Sequence, residues 1–321
     1  MNEIKKIQDF LIQNYSNLGQ IENIQLVDHK NLNSKNYFFT TKHSSFLLHN
    51  VLNSSKIQKM ESMCKILFYC YKNKMKVPEP IKNKKNKFVT NKIFLTKFYS
   101  GNHYSGKQYE LKDTAKYLAL LHKSFLKNKI SYNYKNSEKL YSIIKENEID
   151  NILKNIQNKS PVTPFDKLFL KNIDYLKILS IKFNKLSIPQ KNIQLIHNDL
   201  HPENIIFSQK KLAVILDFGS IQKGNILEDI GFTSYRFASF NSNNISNVKK
   251  KINLFIENYV NFNEILIDRE LMNLILTKKI LSRLSYILKD HYFFNTNLWD
   301  FDFKNHIKYL KDIDLNNIFD E

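Results

Sequence analysis

One stretch of the chain concentrates polar groups between apolar runs: Leu195-Ile196-His197-Asn198-Asp199-Leu200-His201-Pro202-Glu203-Asn204-Ile205-Ile206-Phe207. An apolar run enters a polar loop and a second apolar run leaves it. Thirteen residues after Asn204 comes Asp217, at the end of Val214-Ile215-Leu216 and before Phe218-Gly219. Short apolar strands would thus present Asp199, Asn204 and Asp217 at their ends, where the three can converge. One carboxylate facing an attacking hydroxyl, with an amide oxygen and a second carboxylate holding Mg2+ on nucleotide phosphates, is what phosphoryl transfer requires. The pattern His-x-Asp-x-x-x-x-Asn alone arises about 0.06 times by chance in a chain of this composition. The second acid, in Asp217-Phe218-Gly219 at the end of a buried strand, lowers the chance reading by more than tenfold.

The surrounding elements must position these groups. Ile4, Ile7, Leu11 and Tyr15 have helical spacing, and Gly19 ends that helix. Ile24–Val27, Tyr37–Thr41 and Phe46–Val51 read as strands. Ile57–Tyr71 reads as a helix with Ile57, Met60, Cys64, Leu67 and Tyr71 on one stripe, stopped by Pro78 and Pro80. Phe88–Val89 and Ile93–Phe98 read as two further strands. After Tyr99-Ser100-Gly101 the character changes to helices: Leu111–Leu126, most of 137–186 with a break at Pro161 and Pro164, and two apolar stripes between Ile245 and Leu288. Residues 193–217 read as short strands and a tight loop. The expected fold class is α+β, with a small β-rich N-terminal lobe and a larger, mainly helical C-terminal lobe.

His197-Asn198-Asp199-Leu200-His201-Pro202-Glu203-Asn204 with Leu216-Asp217-Phe218-Gly219 resembles the aminoglycoside phosphotransferase and choline kinase superfamily. Members are small-molecule kinases with a protein-kinase-like fold. The likeness spans most of the chain in outline and is specific between about 195 and 233, where Glu228-Asp229-Ile230-Gly231 matches the family's acidic turn. It implies a nucleotide-binding lobe over 1–98 and a catalytic and acceptor-binding lobe over 99–321. It implies ATP and Mg2+ as cofactors, Asp199 as catalytic base or hydroxyl-orienting residue, and Asn204 and Asp217 as metal ligands. His197 would brace the loop and Asp229 would be a structural carboxylate. His122 matches a helix pattern of the family and reads as a packed core histidine.

The upstream lobe departs from the family. The chain has only six glycines and no Gly-x-Gly-x-x-Gly. The candidate phosphate loop is Asn31–Asn36, with Asn33 and Ser34 at its centre, whose backbone N–H groups could cap phosphates without glycine. Tyr37–Thr41 resembles the strand after this loop in homoserine kinases of the superfamily. Most relatives carry a phosphate-binding Lys where this chain has His49, and homoserine-kinase relatives also lack it. Lys42 or Lys56 could substitute, and Glu61 is the candidate partner on the inserted helix. Phe98 and Tyr99, with Gly101, would form the hinge against the adenine.

Two other readings use the same residues. His197-x-Asp199-x-His201 could hold a metal for a hydrolase, although zinc sites more often set two His on one helix face. A catalytically inactive nucleotide-binding module is the other. His49 supports it; the intact Asp199, Asn204 and Asp217 oppose it.

Composition narrows the partners. Forty-nine Lys and Arg against 30 Asp and Glu give +19, which first suggests a polyanion. Only three of those cations are Arg (Arg236, Arg269, Arg283), and Lys cannot imitate the forked guanidinium that base and phosphate readers use. With 41 Asn as well, the charge reads as a compositional bias and a solvated surface, not as a specific nucleic-acid site. No apolar run reaches the roughly 18 residues of a membrane helix, and no signal-peptide core is present. Cys64 and Cys70 lie on one predicted helix with no metal spacing, so they read as buried thiols of a cytoplasmic protein.

The segment 290–321 reverses the sign: seven acids against three lysines give −4, leaving +23 on the rest. It also holds the only tryptophan, Trp299, among Tyr292, Phe293, Phe294, Phe301, Phe303 and Tyr309. Aromatic faces beside Asp300 and Asp302 suit an ammonium-bearing acceptor. The acceptor is therefore expected to be a hydroxyl on an amino alcohol, amino sugar or hydroxy amino acid, and core aromatics with capping acids are the alternative. The sequence gives no oligomeric state.

Overall fold

The computed structural model describes residues 3–27, 34–51, 57–127, 141–189, 191–242, 244–314 and 318–319. Residues 1–133, 197–221 and 258–263 form one compact unit, and residues 134–196, 222–257 and 264–321 form a second.

The first unit opens with helix α1 (Glu3–Asn14), whose Ile7 and Leu11 are buried. It lies on a five-stranded antiparallel sheet of β1 (Ile21–Val27), β2 (Ser34–Thr41), β3 (Ser45–Val51), β5 (Ile93–Lys97) and β4 (Pro80–Ile81), in that order. Side chains alternate across a strand, so Tyr37 and Phe39, Phe46 and Leu48, and Ile93 and Leu95 face one way. They form one core with Ile7, Leu11 and Tyr15. Phe39 and Phe46 are directly opposed in register and stack at 5.2 Å. Each such buried side chain contributes roughly 1.5–3 kcal/mol of transfer free energy.

The same alternation gives Phe38, Leu47, His49, Phe94 and Thr96 to the other face. Helix α2 (Ile57–Lys72) follows β3, with Met60, Met63, Cys64, Ile66, Leu67 and Cys70 buried. Both cysteines are free thiols in the core, and burial pushes Cys70 up to about 11 despite a hydrogen bond from Ser124.

The expected strand at Phe88–Val89 does not form. Both residues are buried, but the Val89 N–H is taken by the Glu61 carboxylate at 3.0 Å, outside any strand ladder. The two-residue strand lies instead at Pro80–Ile81, where proline sits on the sheet edge and its missing donor costs little. Helix α3 (Gln108–Lys127) buries His122 completely. His122 Nδ1 meets the Tyr259 hydroxyl at 2.7 Å, and that hydroxyl also accepts from Asn263 at 2.8 Å.

In the second unit, helices α4 (Glu146–Gln157), α5 (Pro164–Leu170) and α6 (Ile173–Lys185) lie in the stretch expected to be mostly helical, of which 137–140 is outside the described residues and 141–145 is not helical. Pro164 begins α5 at its first position, where a missing N–H is harmless, and Thr163 caps it with Asp166 completing the capping box. Strand β6 (Ile193–Ile196) pairs antiparallel with β9 (Gln222–Asn225). Helix α7 (Ile226–Ala238) is buried on nearly every side. The Glu228-Asp229 pair, expected in a turn, sits in its first helical turn, where acids complement the helix dipole. Gly231 is needed there, because a Cβ would lie 2.4 Å from Leu276 and 2.8 Å from Met272 of α9 (Arg269–Phe293). Helix α8 (Ile245–Val260) runs between α7 and α9 in the chain, and α10 (Asp300–Asp314) packs on α9. Among the described residues no helix is long and apolar enough to cross a membrane.

Candidate active site

The polar loop after β6 belongs to the first unit, together with the hairpin of β7 (Ile205–Ser208) and β8 (Lys211–Ile215). Asn204 immediately precedes β7 and Asp217 follows β8 by two residues, so the hairpin brings their backbones together. The Leu216 N–H donates to the Asn204 carbonyl at 2.8 Å. The hairpin is anchored on both sides: the Ile215 N–H donates to the Lys76 carbonyl at 2.8 Å, and Asp113 accepts from the Leu212 N–H at 3.3 Å.

His197 ties the two acids to each other. It is fully buried. Its Nε2–H donates to the Leu216 carbonyl at 2.8 Å, one residue before Asp217. Its Nδ1 accepts the Asp199 N–H at 3.3 Å. One ring thus fixes the backbone at both carboxylate residues, and its position against Phe218, with centroids 4.7 Å apart, completes its packing. Both ring nitrogens are used inside the loop, so His197 has no lone pair for a metal, and the cluster expected for a hydrolase is not built. Among the described residues no three His, Cys, Asp or Glu side chains gather as ligands.

Asn204 is buried, and its Nδ2 donates to the Asp199 carbonyl and to His201 Nε2, each at 3.0 Å. With both amide hydrogens given to the loop, its remaining polar atom is Oδ1, an oxygen that a hard cation accepts as ligand. Asp217 is exposed and left-handed, with φ 55° and ψ 68°, and its Oδ1 accepts the Gly219 N–H at 3.3 Å. Asn198 is left-handed too, with φ 69°. Asn and Asp tolerate this region best, yet each such residue costs free energy and persists only where its surroundings enforce it. Here both lie next to or at the converging acids.

The segment expected to form the hinge is tied to the same hairpin. Phe98 N–H donates to Ser45 O at 2.9 Å, and the Phe98 ring meets Phe38 edge-on at 4.8 Å. Burial pushes the Tyr99 hydroxyl up to about 12. Asn102 and Phe207 exchange N–H···O bonds of 2.9 and 2.8 Å. Gly101 permits that approach: a Cβ there would lie 2.3 Å from the Phe207 carbonyl oxygen.

The other expected positions are distributed as follows. His49 is half-buried on β3, stacked on Phe94 at 4.4 Å with its Nε2 3.1 Å from the Thr96 hydroxyl. Glu61 holds the Val89 N–H and lies 3.9 Å from Lys65. Asn33 and Lys56 lie outside the described residues; Ser34 begins β2, and its side chain is also outside them. In the second unit Asp300 accepts from His291 at 2.8 Å, Asp302 occupies the first turn of α10, and Trp299 is 42% exposed. Sequence reasoning missed β9. Its sequence, Gln-Lys-Gly-Asn, has no strand signal, and β6 supplies its pairing.

The family model described as the phosphotransferase enzyme family matches residues 178–245. No curated protein sequence matches the chain. Among solved structures, amicoumacin kinase in complex with AMP-PNP and Ca2+ superposes with a TM-score of 0.66 at 13% identity, covering 99% of this chain and 95% of that one. Spectinomycin phosphotransferase with ADP and spectinomycin gives 0.64 at 16% identity over 98% and 97% of the two chains. Choline kinase from Streptococcus pneumoniae gives 0.58 at 12% identity over 96% and 99%. The fold is that of these structures, α+β and protein-kinase-like, as the motif implied, and residues 178–245 are similar to the phosphotransferase enzyme family.

Proposed function

We propose that the protein is a small-molecule kinase that transfers the γ-phosphoryl group of ATP to a hydroxyl of a small, amine-bearing acceptor. The observation that carries this reading is His197, whose ring spans from the Asp199 N–H to the carbonyl before Asp217 and so fixes the backbone at both carboxylate residues. Asp199 would accept a hydrogen bond from the acceptor hydroxyl and aim its oxygen at the phosphorus in line with the leaving group. Strong basicity is not required, because the transition state is loose. Asn204 Oδ1 and the exposed Asp217 carboxylate are the hard oxygen donors that would hold Mg2+, and the fit of donor type to ion is good. Bound there, the ion supplies charge neutralisation on the phosphates. Most of the acceleration would then come from positioning and preorganised electrostatics.

In this reading residues 1–98 serve the nucleotide and 99–321 serve catalysis and the acceptor. Phe98 and Tyr99 would line the adenine, Asn33 and Ser34 would cap phosphates, and His49 and Glu61 would stand where relatives use an ion pair. Trp299, Asp300 and Asp302 would meet the acceptor's ammonium. The chain would act in the cytoplasm on a free metabolite or aminoglycoside-like molecule.

A nucleotide-binding module without turnover is the second reading, favoured by His49 in place of a phosphate-binding lysine. Coupled ADP release against amino alcohols, amino sugars and hydroxy amino acids separates the two. Turnover that falls about 10²–10⁴-fold in Asp199→Asn supports the kinase. Equal activity in the mutant overturns the role of Asp199. A melting temperature that rises with Mg-ATP while every acceptor stays untouched supports the module.

A further inference from the structure

Helices α7 and α9 of the second unit bring three cations onto one ring. Lys279 Nζ lies 4.5 Å, Arg283 Cζ 4.9 Å and Arg236 Cζ 5.7 Å from the Phe232 centroid. Arg236 is also 5.5 Å from the Tyr309 ring, and the His306 ring is 5.8 Å from the same Tyr309. The chain has only three arginines among 49 Lys and Arg, and two of them meet here. An excess of lysine on the surface does not explain that placement, because the planar fork is what distinguishes Arg.

The charges are not equally answered. Lys279 is buried and paired with Glu228 at 2.9 Å. Asp312 accepts the Tyr235 hydroxyl at 2.6 Å. Arg236 has its two ring contacts but neither a hydrogen bond nor an ion pair among the described residues, and it is only half-buried, so its donors reach solvent.

His306 adds a second, independent mark of a ligand. It is 3% exposed. Its Nδ1–H donates to the Asp302 carbonyl at 2.8 Å, which leaves the lone pair on Nε2. That Nε2 is buried and has no hydrogen-bond partner among the described residues. A buried acceptor without a donor is costly, so it calls for an explanation. The ring is held neutral: burial, then the nearby Arg283 and Arg236, pull its pKa down to about 4 against the backbone bond and charge of Asp302. A permanent acceptor therefore lies beside permanent cations.

We propose that Arg236 and His306 Nε2, framed by Arg283, Phe232 and Tyr309, bind a small amino- or hydroxy-carboxylic acid. The carboxylate takes the Arg236 fork, and an adjacent O–H or N–H donates to His306. Asp302, one helical turn before His306, suits the ligand's ammonium. That this ligand is the phosphoryl acceptor rests on the kinase reading; its binding does not.

Calorimetric titration without nucleotide tests the site. The probes are L-serine, L-threonine and L-homoserine, each against the matching amine that lacks the carboxylate: ethanolamine, 1-amino-2-propanol and 3-aminopropanol. At least one amino acid is expected to bind saturably, with its amine at least tenfold weaker, about 1.4 kcal/mol. Arg236→Gln is expected to weaken the amino acid by at least tenfold and Arg236→Lys by less; His306→Leu should also weaken it. Melting curves of each variant check folding, and because Arg236→Lys keeps the charge it serves where Arg236→Gln fails to fold. Equal binding of acid and amine, unchanged affinity in folded Arg236→Gln, or no binding of any amino acid overturns the site. Binding without ADP release upholds the site and removes its identity with the acceptor pocket. ADP release that is indifferent to Arg236 likewise removes that identity and leaves the kinase standing.

Discussion

The loop from His197 to Asp217 and the segment from His291 to Phe303 both mix acids, histidine and aromatics, but they are fixed in different ways. In the loop, backbone groups do the fixing. His197 spans two main-chain atoms, Asn204 holds the Asp199 carbonyl, and left-handed backbone sets Asn198 and Asp217. In the second segment, side chains fix one another: His291 pairs with Asp300 and stacks on Phe165 at 4.2 Å, and Tyr292 reaches Asp166 at 2.8 Å. A motif is local when the main chain enforces it. A set of side-chain partners spread over the sequence leaves no short signature.

The largest expected effect tests whether the aromatics of the second segment share one role. Phe303 is fully buried and packs on Phe165 at 4.9 Å, whereas Phe301 is 69% exposed. Phe303→Ala is expected to lose about 3–5 kcal/mol of stability, read by urea unfolding. A loss below about 1 kcal/mol would place Phe303 with the exposed set and erase the division.

His197→Ala sharpens the other side. It leaves the Leu216 carbonyl without its ring donor and opens a void against Phe218. A stability loss of about 2–4 kcal/mol is expected, with a fall in turnover larger than the fall in folded fraction. Unchanged turnover per folded molecule would mean that the loop keeps its shape without the brace.

These differences explain what the sequence revealed. Asp199, Asn204 and Asp217 were legible because strand, loop and strand impose their spacing, and the structure brings their backbones together at one hairpin. The sheet core was legible from alternation in Tyr37–Phe39 and Phe46–Leu48. Phe88–Val89 misled because an apolar pair signals burial, while the partner of its N–H, Glu61, sits 28 residues away. The cluster at Phe232 had no local signal: Arg236, Lys279, Arg283, His306 and Tyr309 meet only through the packing of three helices. The alternation Trp299-Asp300-Phe301-Asp302-Phe303 leads into α10, where Phe303 turns inward and Trp299 and Phe301 stay out.

Asp166 gives a pH-dependent version of the comparison. Burial disfavours its charge, yet hydrogen bonds from the Thr163 hydroxyl and N–H, from Tyr292 and from Lys159 outweigh that and hold the carboxyl well below the usual range. A depressed folded-state pKa means that the ionised form stabilises the fold above the unfolded value of about 3.9, and that this contribution is lost as pH falls through the folded value. Asp166→Asn is expected to cost about 2 kcal/mol at neutral pH and to flatten the loss of stability below about pH 4. An unchanged acid limb in the variant would remove Asp166 as its source.

The smallest expected effect belongs to Trp299, and it is the most discriminating. Its ring is 42% exposed and 6.3 Å from Phe301, so truncation removes little buried area. Trp299→Ala should change stability by no more than about 0.5 kcal/mol, the usual range for surface positions. A ring that meets the acceptor's ammonium would contribute about 0.5–2 kcal/mol to binding. The acceptor KM should then rise with kcat nearly constant, because contact with a remote cation is the same in ground and transition states. If stability and KM are both unmoved, Trp299 is a bystander, and the recognition of the acceptor moves inward to the arginine and histidine around Phe232.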